Sequence, residues 1–320
     1  MNTSNLTVRI AKRVQEATDI VCLELIPTDL DFLPAFTAGA HIDIEIKPGV
    51  VRQYSLCNNP SEQNRYQIAV LRDPQSRGGS IGVHEELKEG QAVSISAPRN
   101  LFELGTHANT LLLAGGIGIT PILCMAEELS ARGAEFTMHY GARSQDRAAF
   151  LKRISGSSFG TRVHTHFDDG EDEQKLNLRA VLGACSSDTH LYVCGPTGFI
   201  EAVKKTAQEL GWATERVHLE YFGAAPVEPA GNGNFEVKLA RSGKTIAVEP
   251  HETISQALFN NGIDHETSCC QGACGSCMTR VLEGEVDHRD KYLTDKEKAE
   301  SKYMLICCSR AKSPVLVLDM

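Results

Sequence analysis

The cysteine spacing at residues 269–277 constrains this chain more than any other feature of its sequence. The stretch reads Cys-Cys-Gln-Gly-Ala-Cys-Gly-Ser-Cys, and Cys269, Cys274 and Cys277 give the pattern C-x4-C-x2-C. This is the plant-type spacing of a [2Fe–2S] cluster, in which one tight loop supplies three thiolates and a distant segment supplies the fourth. The small residues between the cysteines allow backbone N–H groups to approach the cluster sulfurs.

Two cysteine doublets leave a choice of ligands. Cys270 would give C-x3-C with Cys274, so Cys269 is the better candidate. The fourth ligand is Cys307 or its neighbour Cys308, and spacing alone does not decide between them. Zinc is the alternative metal, but zinc sites usually repeat short C-x2–4-C pairs on both sides. Because the second segment offers only adjacent cysteines, the pattern favours iron–sulfur.

Length and composition set the broad class of protein. The 320 residues predict two or three domains, and 42% hydrophobic with 23% charged residues is a typical globular balance. The net charge of −9 argues against nucleic-acid binding. The sequence has no apolar run near the roughly 18 residues that a membrane span needs. The N-terminus lacks the basic-then-apolar pattern of a signal peptide, and the chain has eleven cysteines. Together these features indicate a reducing compartment, and we expect the cytoplasm.

Residues 1–103 are predicted to form an antiparallel β-barrel. Short runs that alternate apolar and polar residues are separated by turns, which is typical of that architecture. The predicted strands are Leu6–Ile10, Ile20–Leu25, His41–Ile46, Gln53–Leu56, Tyr66–Val70 and Ala92–Ser96. A short helix over Ile81–Leu87 follows a glycine turn.

Two pieces of this first domain could carry chemistry. Arg52 and Tyr54 share one face of a strand, because side chains alternate along it, and Ser55 follows them. The segment Arg77-Gly78-Gly79-Ser80 offers backbone N–H donors before a helix, which suits a phosphate group. Either signal is weak by itself, since such residues are common on strand surfaces and in turns.

Residues 104–224 are predicted to form a parallel sheet flanked by helices. The apolar run Asn109–Ala114 leads into Gly115-Gly116-Ile-Gly118-Ile-Thr-Pro, and a helix over Ile122–Ala131 follows. Further strands are predicted at Glu135–Tyr140, Arg162–Phe167 and His190–Cys194, with a helix over Gly198–Leu210. Such βαβ alternation places a ligand at the carboxyl ends of the strands. The loop departs from the G-x-G-x-x-G fingerprint, so this pattern alone leaves dinucleotide binding open.

The last domain resembles a known family. Residues 235–320 resemble a plant-type ferredoxin domain, and residues 284–290 and 307–312 are similar to the C-terminal domain of the phthalate dioxygenase reductase family. The resemblance implies an α+β fold of the β-grasp type and assigns the fourth cluster ligand to Cys307. Residues 225–234, rich in proline and glycine, are predicted to be a linker.

The first domain resembles the flavin barrel of the same family, within the ferredoxin–NADP reductase superfamily. The similarity lies in Arg-x-Tyr-Ser-Leu-Cys-Asn at residues 52–58, in residues 68–73 and in Arg-Gly-Gly-Ser at residues 77–80. The family uses FMN, and FMN rather than FAD rests on this resemblance. The implied flavin-contacting residues are Arg52, Tyr54, Ser55, Ala69, Val70, Leu71, Arg77, Gly78, Gly79 and Ser80.

The second domain is similar to the pyridine-nucleotide domain of that family, through its glycine loop and a later Cys-Gly-Pro. The resemblance places Cys194 by the nicotinamide, turns Thr120 towards the flavin and lets Phe222 cover the flavin face. The remaining implied nucleotide contacts are Gly115, Gly116, Gly118, Gly195 and Pro196. Arg143 beside Asp146 leaves NADH and NADPH open, and the family implies NADH.

The whole pattern implies a multidomain reductase that passes electrons from NADH through FMN to a [2Fe–2S] cluster. A flavin accepts two electrons and releases them singly, whereas the cluster takes one at a time. The family implies a Rieske-type oxygenase as the acceptor, either an aromatic-ring dioxygenase or a demethylating monooxygenase, in a transient complex with a monomeric reductase. The alternatives are a stand-alone flavin or ferric reductase and a redox-sensing iron–sulfur flavoprotein.

Overall fold

The computed structural model divides the chain into two compact units, Met1–Phe222 and Gly223–Met320. It describes residues 6–48, 50–74, 76, 78–222, 233–263, 265, 267, 272, 275–290 and 292–320. Within these ranges, no helix combines the length and the apolar character that crossing a bilayer requires.

The first unit begins with a seven-stranded antiparallel sheet. Its strands are β1 (Leu6–Ala17), β2 (Ile20–Pro27), β3 (Ala40–Lys47), β4 (Val50–Ser55), β5 (Tyr66–Leu71), β6 (Ala92–Ile95) and β7 (Arg99–Asn100). Their order is β4-β3-β6-β1-β2-β5, with β7 also paired to β3. All six predicted strands are confirmed. Strand β1 continues to Ala17 because two irregularities in its pairing with β2 keep the two strands together.

Helix α1 (Ser80–Glu85) follows β5 and is shorter than predicted at its carboxyl end. Its Gly82 lies against Ile46 of β3, where a Cβ atom would come within 2.8 Å of Ile46 Cγ2. The ring Nε2 of His84 is 2.9 Å from the carbonyl oxygen of Val70, within hydrogen-bonding distance. These contacts hold α1, and the glycines before it, against the strands that carry the predicted flavin residues.

The second half of this unit is a five-stranded parallel sheet. Its strands are β8 (Asn109–Gly115), β9 (Glu135–Ala142), β10 (Val163–Phe167), β11 (Thr189–Gly195) and β12 (Val217–Tyr221). The helices are α2 (Ile119–Ala131), α3 (Leu151–Ser155), α4 (Leu178–Gly183) and α5 (Thr197–Glu209), with 3-10 turns at Gly116–Gly118, Gln145–Arg147, Gly160–Arg162, Asp172–Gln174 and Thr214–Arg216. The strand order is β10-β9-β8-β11-β12, so successive strands are added first on one side of β8 and then on the other. Ligands bind at the switch point where the order of addition changes sides.

Two predicted boundaries in this sheet were wrong. Helix α2 begins at Ile119 rather than Ile122, so Thr120 lies inside the helix. Pro121 stands in the first turn, where the missing N–H would have no intrahelical acceptor, and so it does not end the helix. The strand predicted from Arg162 begins at Val163, because Arg162 closes a 3-10 turn.

The two faces of the parallel sheet pack against different partners. Leu112 and Tyr140 belong to one continuous hydrophobic core with residues of the antiparallel sheet, including Ile42 and Ile68. The opposite face, which includes Leu113, packs in a separate core with α4 and α5. The shared core explains why the two sheets form one compact unit. Both faces of the central strands are buried, which accounts for the unbroken apolar run at the start of this region.

The second unit is a smaller α+β domain. Its strands are β13 (Phe235–Leu239), β14 (Thr245–Val248), β15 (Met278–Glu283), β16 (Val286–Asp287), β17 (Tyr303–Leu305), β18 (Arg310–Ala311) and β19 (Val315–Leu318). The main sheet has the order β14-β13-β19-β15-β17, and β16 pairs with β18. Helices α6 (Ile254–Asn260) and α7 (Asp295–Glu300) both begin with a capping box. Buried residues of the main sheet and α6 share one core.

Candidate functional site: flavin, nucleotide and cluster

The predicted flavin residues on β4 lie beside the glycine turn that precedes α1. A Cβ atom on Gly79 would come within 2.7 Å of Arg52 Nε, so only glycine lets the guanidinium lie against this turn. Burial raises the pKa of Tyr54 to about 12, although the positive charge of Arg52 opposes the shift. Tyr54 therefore stays a neutral phenol that can donate a hydrogen bond. Ser55 is buried next to it.

Strand β5 and the turn after it hold the other predicted flavin contacts. Ala69 and Val70 are buried, whereas Leu71 is partly exposed. Gly78 has φ +79° with open space around its Cα atom, and the hydroxyl of Ser80 accepts a 3.0 Å hydrogen bond from the backbone N–H of Asp73. Gly78 and Gly79 therefore add no side chain of their own to the turn beside Arg52. Arg77, the other predicted residue here, lies outside the described residues.

The glycine loop and the Cys-Gly-Pro segment meet at the carboxyl edge of the parallel sheet. A Cβ atom on Gly118 would overlap the carbonyl oxygen of Cys194 and lie 2.6 Å from the nitrogen of Gly195. Gly115 is also closely packed, because a Cβ atom there would be 2.8 Å from Phe199 Cδ1 and 3.0 Å from Pro196 Cδ. Gly116 has φ +52° and faces open space. The loop thus joins the start of α2 to the end of β11, which is the arrangement of a pyrophosphate site.

Thr120 and Cys194 are both buried in this region. The hydroxyl of Thr120 donates to the carbonyl oxygen of Ile117 at 3.1 Å, which fixes the first turn of α2. Burial raises the pKa of Cys194 well above that of a free thiol, and the nearby Glu220 carboxylate raises it further. Cys194 is therefore a neutral thiol, a small polarisable group rather than a nucleophile.

Glu220 is a functional candidate that sequence reasoning missed. It lies directly beside Cys194 in the pairing of β11 with β12, and burial raises the pKa of its carboxyl group to about 8. The available signal was a carboxylate at the end of a short apolar–polar run, which the structure shows to be the edge strand β12. The next residue, Tyr221, donates its hydroxyl to the Glu201 carboxylate, and Phe222 follows with 48% of its surface exposed.

The cysteines of the second unit converge in part. Cys277 and Cys307 are both buried, and their thiols are within hydrogen-bonding reach of each other. Gly272 and Gly275 have φ +72° and +78°, the left-handed conformation that a loop wrapped tightly round a cluster needs. Cys308 lies against the same loop, since its sulfur would be 2.5 Å from a Cβ atom at Gly272, and its thiol is also within hydrogen-bonding reach of Cys307. Cys269 and Cys274 lie outside the described residues. The described thiols and glycines fit a [2Fe–2S] cluster.

Comparisons with known proteins agree with this arrangement. Residues 112–205 match the oxidoreductase NAD-binding domain, and residues 237–312 match the 2Fe-2S iron-sulfur cluster binding domain. A vanillate O-demethylase oxidoreductase from a Pseudomonas species is 53% identical over 305 residues, covering 95% of this chain and 96% of the relative. The protein of the same name from Pseudomonas putida is 48% identical, covering 97% and 98%.

A solved structure matches the whole chain as well. Phthalate dioxygenase reductase, described as a modular structure for electron transfer from pyridine nucleotides to [2Fe-2S], has 38% sequence identity and a TM-score of 0.73. The match covers 99% of this chain and 98% of that one. The fold and the converging thiols define an iron–sulfur flavoprotein oxidoreductase. The chain belongs to the phthalate dioxygenase reductase and vanillate O-demethylase oxidoreductase family.

Membership of this family settles the cofactors and the direction of electron flow. The protein is an NADH-dependent oxidoreductase with FMN and a [2Fe–2S] cluster, and it passes electrons from NADH through FMN to the cluster and on to an oxygenase component. The cofactors carry out the redox chemistry, and the chain binds, orients and shields them.

Proposed function

We propose that this chain is the reductase of a Rieske-type demethylating monooxygenase system acting on an aromatic compound. One observation carries the reductase part of the proposal. Strand β5, where the predicted flavin contacts lie, is next to the Gly116–Gly118 turn of the predicted nucleotide loop, within the same compact unit. Flavin and nicotinamide bound at these two places would be neighbours, which hydride transfer requires. The demethylating partner is suggested by the relatives named vanillate O-demethylase oxidoreductase.

We assign the flavin to the side of the antiparallel sheet that carries the Arg52–Gly79 contact. Arg52, Tyr54 and Ser55 would lie along FMN, with Ala69, Val70 and Leu71 beside it. The phosphate would bind at residues 77–80, where the guanidinium of Arg52 adds positive charge. The half-exposed ring of Phe222 would cover the flavin and be displaced by the nicotinamide.

The nucleotide would lie across the carboxyl edge of the parallel sheet. Gly115, Gly116 and Gly118 leave the backbone open for the pyrophosphate at the start of α2. Cys194, with Gly195 and Pro196, would border the nicotinamide, and Thr120 would face the flavin. Glu220 beside Cys194 supplies a carboxyl group whose charge depends on pH near neutrality.

We keep the four cluster ligands Cys269, Cys274, Cys277 and Cys307, and the domain boundaries 1–103, 104–224, 225–234 and 235–320. The contact between the Cys277 and Cys307 thiols supports Cys307 over Cys308 as the fourth ligand. We further infer that the protein is a cytoplasmic monomer that meets its oxygenase in a transient complex. A short-lived complex suits a reductase that has to leave after each electron.

Matched cysteine variants test this proposal. Cys307→Ser should lose iron but keep FMN, so NADH would still reduce ferricyanide while reduction of cytochrome c collapses. Cys308→Ser should keep the cluster and both activities, because the fourth ligand is assigned to Cys307, whose thiol contacts Cys277. Loss of iron in Cys308→Ser with retention in Cys307→Ser would overturn the ligand assignment. Undiminished cytochrome c reduction without a cluster would favour a stand-alone flavin reductase.

A further inference from the structure

Three histidines converge at the amino edge of the parallel sheet, away from the glycine loop. His107 stands two residues before β8, and His190 and His218 are each the second residue of their strands, β11 and β12. These three strands are neighbours in the sheet. Tyr192 pairs in register with His218, and side chains two apart share a face, so His190, Tyr192 and His218 point to the same side.

The ring nitrogens of this histidine cluster, defined as His107, His190 and His218, are close together. One nitrogen from each ring lies within 4.8 Å of the other two. The Nδ1 atom of His190 is 3.1 Å from Nε2 of His218, and the His107 and His190 rings stack with centroids 3.4 Å apart. In a tetrahedral site with metal–nitrogen bonds of about 2.05 Å, ligand nitrogens are about 3.3 Å apart. The His190–His218 pair is already near that spacing, and a shared ion would require the stacked His107 and His190 rings to turn apart.

The surroundings keep these histidines neutral, which is the form that binds metals. Burial lowers the pKa values of all three, and the charge that a neighbouring histidine would carry lowers those of His107 and His218 further. At His190 the guanidinium of Arg216 lowers the pKa further, and the carboxylate of Asp188 raises it by less. Arg216 is held by the carbonyl oxygen of Thr189 and by the ring of Trp212.

The hydroxyl of Tyr192 is a further polar group in contact with the histidine cluster. The hydroxyl of Tyr192 is 3.1 Å from Nε2 of His107 and accepts the backbone N–H of Gly105 at 2.9 Å. The ring of Tyr192 also stacks on His218 at 4.3 Å. Tyr192 thus fixes the segment that carries His107 and leaves its other ring nitrogen to be shared. Metal ligands are commonly oriented by such a hydrogen bond to the second nitrogen.

We propose that His107, His190 and His218 form a site for one divalent transition-metal ion of the zinc and copper class. An all-imidazole set selects these ions over magnesium or calcium, which prefer oxygen ligands. Three protein ligands leave the fourth position to water. The ion would join the segment before β8 to β11 and β12, and so would fasten the amino edge of the nucleotide sheet. It plays no part in the path from NADH to the cluster.

The same sheet contains a matched control. His139, His164 and His166 lie on neighbouring strands β9 and β10, and His139 Nδ1 is 2.9 Å from His166 Nε2. Among the described residues, only the His107 group brings three ligand atoms within the distance that one ion needs. His164→Gln should therefore leave metal binding unchanged.

The test uses the purified holoprotein with its iron and FMN measured, so that vacant cluster cysteines do not take up zinc. Equilibrium dialysis against micromolar Zn²⁺ should add one zinc per chain. His107→Gln, His190→Gln and His218→Gln, with iron and FMN unchanged, should each weaken zinc binding by at least about 10-fold. Zinc retained equally by the triple variant, or no zinc bound by the wild type, would overturn the proposal.

A measurement on the unmodified protein guards against variants that do not fold. Oxidised flavin and an oxidised [2Fe–2S] cluster give no electron paramagnetic resonance signal, so one equivalent of Cu²⁺ can be observed by itself. We expect hyperfine splitting from three nitrogens. A spectrum with sulfur ligation, or with oxygen ligands alone, would place the copper elsewhere and contradict the assignment.

Discussion

Burial of the Glu220 carboxyl group destabilises the fold, and the same burial gives the group the raised pKa that suits a functional site. Its carboxyl group is buried, and in the described part of the chain its Oε2 atom has no hydrogen-bond partner. Desolvation of the charged form raises its pKa from 4.5 to about 8. Buried carboxyl groups with raised pKa values are typical of functional sites, and this one adjoins Cys194.

Glu220→Gln should stabilise the protein more as the pH rises. Below pH 4.5 the Glu220 carboxyl group is protonated in both the folded and the unfolded chain. Between pH 4.5 and about pH 8 it is protonated only in the folded chain, so the stability of the wild type falls as the pH rises through this window. From about pH 6 to about pH 9 the advantage of the variant should grow by on the order of 2 kcal/mol. Thermal unfolding at both pH values measures this difference. The exposed Glu135→Gln is the control. If the stability of Glu220→Gln exceeded that of the wild type equally at both pH values, the burial argument would be contradicted.

Short spacing in the sequence is enough to nominate individual residues as site candidates. The three loop cysteines and the glycine loop are local patterns, and the sequence contains them whole. Glu220 was missed because its importance comes from burial and from its position across β11, neither of which a local pattern records. The choice between Cys307 and Cys308 has the same origin, since adjacent residues differ only in the direction that the fold gives their side chains.

At the scale of elements, Gly118 is the point where α2 and β11 touch. Gly118→Ala would push a methyl group into the backbone of Cys194 and Gly195. Overpacking of this kind typically costs about 1–3 kcal/mol, and the displaced loop should weaken NADH binding roughly 10- to 100-fold. Stopped-flow reduction by NADH gives the apparent Kd. Gly183→Ala in α4, where a Cβ atom has open space, should bind NADH normally. Equal affinity in both variants would remove Gly118 from the site.

Arg310 organises the second unit around the segment that follows Cys307 and Cys308. Its buried guanidinium donates to the carbonyl oxygens of Glu252, Gly233 (3.2 Å) and Glu249 (3.1 Å), and it lies 5.0 Å from the centre of the Phe235 ring. One side chain thus joins the start of β13, the turn before α6 and β18. Breaking such a buried charged network usually costs about 3–5 kcal/mol.

Arg310→Met should therefore lower the free energy of unfolding of this unit by about 3 kcal/mol and release iron earlier in urea. Visible absorbance of the cluster follows the transition. Arg241→Met removes an exposed ion pair with Asp319 in the same unit and should cost less than about 1 kcal/mol. If both variants shift the midpoint alike, Arg310 is an ordinary surface cation.

The element predictions succeeded for buried strands and failed at boundaries. Period-two alternation and apolar runs identified six strands of the first sheet and four of the second, because burial imposes these patterns on sequence. The short β7 and the edge strand β12 were not predicted. The start of α2 was wrong because proline is compatible with a first helical turn. The length of β1 was wrong because irregular pairing with β2 extends it past the alternating run.

At the scale of the whole molecule, the three modules follow one another along the chain in the order flavin, nucleotide and cluster, whereas electrons pass from NADH to FMN and then to the cluster. Each module was predictable from local motifs and family resemblance. The shared core of the two sheets was not, because it gathers residues that are far apart in sequence, such as Ile42 and Leu112, into one cluster. That core makes one compact unit of the flavin and nucleotide modules, while the cluster lies in the other unit.

The central claim is that NADH reduces the cluster through the flavin, and an anaerobic NADH titration tests it most directly. FMN takes two electrons and the cluster one, so about 1.5 equivalents of NADH should reduce the protein fully. Absorbance should show the flavin bleaching, and low-temperature electron paramagnetic resonance should show a one-electron [2Fe–2S] signal. If the flavin bleached while a cluster with its full iron content stayed oxidised, the proposed electron path would be contradicted.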